Sequence, residues 1–334
     1  MMLAASLINI SYEDVYVAPE SGSNGQEYYV LPDNSVVRRD HTATVISMGE
    51  GMSKMLLIDG IGTTSLRILT KMMAHLPLAF CREKPQSALV ICLGMGTTYR
   101  SALSWDIQTT AVELVPSVKE AFGYYFADAE KILNNPDGKI IIDDGRRFLK
   151  RTTETFDVIT IDPPPPLESA GSSLLHSEEF YGLVKKHLKK NGIFQQWFPC
   201  GELKIAQAIA RSLSNTFPYI RIYQSVEGWG LHFLASMNPI DIPAPRVMLS
   251  RIPEKARKDI MEWYQVDQTT NLEGFIKFIF KSEIPFAELL NDDQEIIITD
   301  NKPFNEYFFL RRTLDNIKGQ YREVSCLPSQ NDKY

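Results

Sequence analysis

The chain has 334 residues, 44% of them apolar and 23% charged, with a formal net charge of −6. This is an ordinary globular composition, long enough to bury a large core without staples. The acid excess disfavours a nucleic-acid partner, which leaves a basic footprint, and suits a cationic one. Cys81, Cys92, Cys200 and Cys326 form no CxxC pair and stand in no His cluster, so neither a metal site nor a disulfide framework is expected, and a reducing compartment is. The opening "MMLAASLINI" is short and has no basic leader. No run reaches the ~18 apolar residues of a membrane span. The expectation is a cytoplasmic protein with no membrane partner.

Up to about Ile61, strand-like runs alternate with turn signals: "YYVL", "PDNS", "TATVISM", "GEG", "MLLIDG". The pattern predicts a small antiparallel β domain over residues 1–64. From Ser65 to His75 the period becomes helical, with Leu66, Leu69 and Met73 on one face and "HLPLAF" closing it. Strands and helices then alternate. "ALVICLG", "TAVELV", "KIIID", "FDVITID" and "GIFQQWF" read as strands. "TTYRSALSW", Val118 to Leu133, Gly145 to Arg151 and Glu178 to Lys190 read as helices. Ser177 is placed to cap the last of these and Asn191-Gly192 to stop it. "YIRIYQSV" and "WGLHFLAS" read as a closing antiparallel pair. Such alternation gives an α/β fold, a doubly wound Rossmann-like sheet over residues 65–237 that binds ligands at the carboxyl ends of its strands. Residues 238–334 are predicted to form a C-terminal helical extension, with "PEKARKDIMEWY" its clearest helix.

Four strand ends carry candidate chemistry. "LGMG" places Gly94 and Gly96 between a strand and a helix, where glycine lets backbone N–H groups approach a ligand. Tyr99 replaces the third glycine of the dinucleotide fingerprint, which disfavours NAD. Glu113, 19 positions after Gly94, ends the next strand and is placed to accept both hydroxyls of a ribose. Asp143 and Asp144 end the third. Either could accept from an adenine amino group, and Asp144 could equally cap the helix "GRRFLK". Asp162 ends the fourth and is followed by Pro163 to Pro166. An aspartate commonly bonds the backbone N–H two residues on, and proline has none. Its carboxylate must therefore find water, a distant residue or a ligand. "LESAGSSLLHS" then reads as a flexible gate around Gly171, and Arg146, Arg147, Lys150 and Arg151 as a solvated helix face.

These motifs, with "LLIDG", "HLPL", "VELVPSV", "DDGRRFLK" and "SEEFYGLVKKHLKKNGIF" in order, make the chain resemble the spermidine synthase (polyamine aminopropyltransferase) family. That family is a branch of the S-adenosylmethionine-dependent methyltransferase fold. "DPPPP" and "TDNKPFNEY" are similar to the soluble half of bacterial homologues fused to a transporter domain. The resemblance implies a transferase of polyamine metabolism that uses S-adenosylmethionine or its decarboxylated form, acts on a small-molecule amine, needs no metal and forms a homodimer. It assigns Glu113 to the ribose, Asp144 to the adenine, the Gly94–Met95–Gly96 loop to the nucleoside, and Asp162 to catalysis. Three features depart from the family pattern. Met95 stands where the family has an acid, Pro165 where it has a second aspartate, and the segment after Gly60 lacks its amine-gripping acids. Met95 would suit intact S-adenosylmethionine, so a small-molecule methyltransferase is the alternative. A non-catalytic nucleoside- or polyamine-binding module is the third.

Overall fold

The structure, a computed structural model, describes residues 20–21, 27–28, 34–163, 166–199, 201–264, 271–290 and 295–323. The apolar opening, Tyr29 to Leu31, Pro164, Pro165, Cys200 and Cys326 lie outside the described residues.

Two short strands, β1 (Glu20–Ser21) and β2 (Glu27–Tyr28), pair antiparallel. A four-stranded meander follows: β3 (Val36–Arg39), β4 (Thr44–Met48), β5 (Met55–Ile58) and β6 (Ile61–Ser65). Asp59 and Gly60 both have positive φ, 50° and 80°, which makes the two-residue β5–β6 turn one whose twist matches its strands. The meander does not have a core of its own. Its Val45 and Leu56 pack with Val90, Met95, Val118 and Phe122 of the next unit.

That unit runs α1 (Ile68–Phe80), β7 (Ser87–Ile91), α2 (Thr97–Leu103), β8 (Gln108–Glu113), α3 (Pro116–Glu120), α4 (Phe122–Tyr125), α5 (Ala129–Leu133), β9 (Gly138–Ile142), α6 (Gly145–Arg151) and β10 (Phe156–Ile161). It continues with α7 (Glu178–His187), β11 (Leu188–Phe198), α8 (Leu203–Thr216), β12 (Tyr219–Gln224) and β13 (Leu231–Ser236). Beyond it come α9 (Pro245–Arg251), α10 (Glu254–Glu262), α11 (Leu272–Lys281), β14 (Glu283–Ile284), α12 (Phe286–Leu289) and α13 (Phe309–Ile317). The central sheet has the order β14-β12-β13-β11-β10-β7-β8-β9. β9, β8, β7, β10 and β11 are parallel, and the others antiparallel. β7 and β10, at the middle of the parallel part, are the most apolar of these strands because helices cover both faces there. The chain leaves β7 toward β8 and leaves β10 toward β11, so the switch point lies between β7 and β10.

Four expectations need correction. The helix read from Ser65 to His75 starts at Ile68, and "HLPLAF" closes it only at its last residue. It runs through Pro77 to Phe80, with all thirteen residues buried. Val118 to Leu133 is not one helix. It breaks into α3, α4 and α5, where the Tyr124 hydroxyl donates to the Gly49 carbonyl at 2.8 Å and the Tyr125 hydroxyl meets Ser47 Oγ at 2.7 Å. Tertiary bonds to the meander outweigh the local helical period. Asn191-Gly192 does not stop a helix, since α7 ends at His187 and the dipeptide sits inside β11, at a register shift against β10. The C-terminal part is not solely helical. β14 pairs with β12, and Met248, Ile260, Ile276 and Ile279 share a core with α1. α10 is also held by polar bonds. Asp259 accepts from Lys71 Nζ at 3.2 Å, Arg100 at 2.8 Å and Ser101 Oγ at 2.7 Å. Trp105 Nε1 donates to His75 Nδ1, which leaves the His75 proton on Nε2 for Asp259.

Candidate active site

At the switch point the carboxyl ends of β7, β8 and β10 open into one cavity of about 390 Å³. The β5–β6 hairpin covers it through Ile58, Asp59, Ile61, Thr63 and Thr64, and Leu175 closes the far side. Gly94, Glu113, Asp144 and Asp162 all line it.

β7 ends at Ile91, and Cys92 takes φ of 69° to turn the chain over the sheet edge. Glu113, at the tip of β8, holds this turn. Its Oε2 accepts from Leu93 N at 2.9 Å and Gly94 N at 3.4 Å, and its Oε1 from Val115 N at 2.9 Å. Burial pushes the Glu113 carboxyl up from its usual range against these backbone bonds. Glu113 is therefore a structural bracket as well as a cavity wall, a double use that sequence spacing does not reveal.

Asp143 and Asp144 separate cleanly. Asp144 Oδ1 caps α6 by accepting from Arg147 N at 2.7 Å, and its residue lines the cavity. Asp143 is turned away. It pairs with the Arg147 and Arg151 side chains and is absent from the described cavity wall. Met95 and Gly96 are likewise absent from the described cavity wall. Met95 is 2% exposed, within the apolar cluster shared with the meander. Gly96 has φ of 88°, and a Cβ there would stand 2.1 Å from the Phe122 ring. The second glycine of the loop thus admits an aromatic ring, and only Gly94 meets the cavity.

Asp162 stands one residue past β10, partly covered, beside Pro163. Among the described residues it has no hydrogen-bond or ion-pair partner. Burial alone pushes its carboxyl up to about 7. Cys92, between the acids, has its thiol pushed well up by burial and then by the charges of Glu113, Asp162 and Asp144.

The loop read as a flexible gate is instead tied down. Ser172–Leu175 is a 3₁₀ turn, and the "TDNKPFNEY" segment grips it. Nor is the basic run wholly solvated. Arg146 is 12% exposed and pairs with Asp300, whereas Arg147 and Arg151 face solvent. Cys92, Arg146 and Asp300 went unnoticed as site residues in the sequence. Cys92 had one available signal, its place as the first residue past an apolar strand. No group of three His, Cys, Asp or Glu side chains among the described residues could hold a metal ion, and no described helix is long and apolar enough to cross a membrane.

The sheet order and the cavity at its switch point define a Rossmann-like fold of the methyltransferase type. Residues 66–226 match the family described as Spermine/spermidine synthase domain. The polyamine aminopropyltransferase of Sulfurisphaera tokodaii is 26% identical over 216 residues, 60% of this chain and 71% of that protein. That of Thermotoga maritima is 31% identical over 176 residues, 50% of this chain and 58% of that protein. The crystal structure of spermidine synthase from Thermotoga maritima superposes with a TM-score of 0.58 at 21% identity, covering 82% of this chain and 96% of that one. That structural likeness concerns the fold. Over residues 66–226 the chain is similar to the spermidine synthase family. The alignments with eight such curated relatives span 53% to 73% of those proteins' length.

Proposed function

We propose that this protein transfers an aminopropyl group from decarboxylated S-adenosylmethionine to a small amine, with Asp162 as the catalytic carboxylate. The observation that carries this is Asp162 itself, an unpartnered carboxylate on the wall that also bears Glu113 and Asp144. Glu113 would take the ribose hydroxyls and Asp144, through Oδ2, the adenine amino group.

The acceptor enters as an ammonium, since a free alkyl amine has a pKa near ~10. Asp162 binds that cation and takes one proton. The freed nitrogen lone pair attacks the carbon beside the sulfonium. The C–S bond breaks with its electron pair moving to sulfur, and methylthioadenosine leaves as a neutral thioether. The product is a secondary ammonium and the net reaction releases one proton. A carboxyl with a pKa about 7 suits both tasks at neutral pH.

The cavity wall carries four acids, Asp59, Glu113, Asp144 and Asp162, and no basic residue among its described lining. A doubly cationic donor is favoured there, and the extra carboxylate of intact S-adenosylmethionine is repelled. Met95 no longer supports methyl transfer, because its side chain lies outside the cavity. The two donors can be compared directly with an amine panel, following methylthioadenosine release and methylated product by mass spectrometry. Aminopropylated product from the decarboxylated donor is expected. Methyl transfer from S-adenosylmethionine at an equal or higher rate would reject the proposal.

A further inference from the structure

The segment Thr299–Arg312 lies beyond the family-matched residues 66–226, yet it bonds to the loop that carries Leu175 to the cavity wall. Leu175 ends the 3₁₀ turn Ser172–Leu175. Leu167 and Leu175 pack against the core near the loop's two ends, but the stretch between them is short of apolar anchors. Leu174 is exposed and Gly171 sits at φ of 85° with open space around it. Polar bonds from three directions hold it instead. From the sheet, Gln196 Nε2 donates to the Leu175 carbonyl at 3.1 Å. From α6, one residue past the cavity-lining Gly145, Arg146 donates to the Leu174 carbonyl at 3.1 Å. The third set comes from the C-terminal segment. Glu306 Oε1 accepts from Ser173 N at 3.0 Å and from the Ser173 hydroxyl. The fully buried Asn305 donates to the Leu167 carbonyl at 2.5 Å and to Ser172 Oγ at 2.8 Å. Arg312 pairs with Glu168 at the loop's start.

Asp300 ties the second and third directions together. Its carboxylate takes both terminal nitrogens of Arg146 and the Ser177 hydroxyl, and its backbone N–H donates to Glu179 at 3.0 Å. The bidentate bond from Arg146 holds the Asp300 carboxyl below its usual range, so it stays charged at neutral pH.

We infer that Asp300, Asn305 and Glu306 are positioning residues of the substrate site: the C-terminal segment holds the Leu167–Ser177 loop so that Leu175 stands ready-made as a cavity wall. A loop fixed beforehand loses little freedom when ligand arrives, so affinity depends on contacts that never touch the ligand. The inference rests on the proposed nucleoside cavity, and Glu306 offers the cleanest test. It is not part of the apolar core, and Glu306→Ala removes both bonds to Ser173, whereas Glu306→Gln keeps an acceptor in the same place.

Calorimetry with methylthioadenosine as the probe should show affinity about tenfold weaker for Glu306→Ala, with most of the loss recovered in Glu306→Gln. The melting temperature should stay within about 2 °C of the parent. Equal affinity in Glu306→Ala and the parent overturns the inference alone, as does an affinity loss matched by a fall in melting temperature. If the parent itself does not bind methylthioadenosine, the proposed function fails first, and the inference with it.

Discussion

Asp162→Asn should make the protein more stable and nearly inactive. An unfolded aspartate titrates near ~3.9, whereas burial raises Asp162 to about 7 in the folded protein. The folded state therefore holds this proton more tightly than the unfolded chain does. The stability linked to it is full below about pH 4 and is lost as pH rises through about 7. The gap corresponds to about 4 kcal/mol for a carboxylate sealed from water. Asp162 opens onto a cavity, so solvent screens part of this and about 1–2 kcal/mol is the reasonable scale. Asparagine keeps the shape and removes the charge. For a chain of this size that gain amounts to roughly 2–6 °C in melting temperature at about pH 8, shrinking to nothing near about pH 4. Turnover should fall by ~10²–10⁴, the scale of general-base catalysis. Thermal melts of both proteins across this pH range, beside methylthioadenosine release assays, give both quantities. A variant no more stable at about pH 8, or one whose advantage does not change with pH, would refute the account of Asp162 as an unpaired, desolvated acid.

Glu113→Ala should weaken methylthioadenosine binding by ~1.5–3 kcal/mol and also lower the melting temperature, because Leu93, Gly94 and Val115 lose their acceptor; calorimetry with intact affinity would reject the ribose role. Gly96→Ala should destabilise by about 2–4 kcal/mol in chemical denaturation, from left-handed strain plus collision with Phe122. Gly94→Ala should cost the fold less, since its Cβ would meet only Thr64 Cγ2 at 3.6 Å, and equal losses at the two glycines would contradict the division of labour drawn here. Putrescine should be a poor acceptor, because the wall after Gly60 is built of Ile61, Thr63 and Thr64 and carries no carboxylate; rapid spermidine formation in a coupled product assay would show that the acceptor's far ammonium is gripped in some other way.

The central sheet was legible because its cause is local. A strand covered on both faces is mostly apolar, as "ALVI" is and as "VITI" is but for Thr160. The alternation with helices then leaves few topologies. The failures have the opposite cause. β14 is two residues long and carries no period, and it exists because β12 leaves an edge for it to pair with. α3 to α5 interrupt a helical period because the Gly49 carbonyl and the Ser47 hydroxyl of the meander compete for Tyr124 and Tyr125. Gly192 reads as a helix stop by residue type, but in β11 it sits at an irregularity where a Cβ would crowd the Lys189 and Phe156 carbonyls at 3.0 Å.

The same division runs through the site. Asp162 could be picked out because what isolates it is written beside it: the strand ends there, and the residues that follow include no nearby N–H donor. Gly96 could not be assigned, because a glycine records only that a Cβ is unwelcome, and a ligand and the Phe122 ring forbid it equally well. Arg146 is the sharpest case. On α6 it shares a helix with Arg147 and Arg151, which do face solvent, and the helical period describes only the face of its own helix. The carboxylate that buries it is Asp300, more than a hundred residues later in the chain. A contact of that separation leaves no trace in either segment alone. The parts of the site that depend on such contacts, the fastened loop and the wall it presents, become visible only once the C-terminal segment is in place.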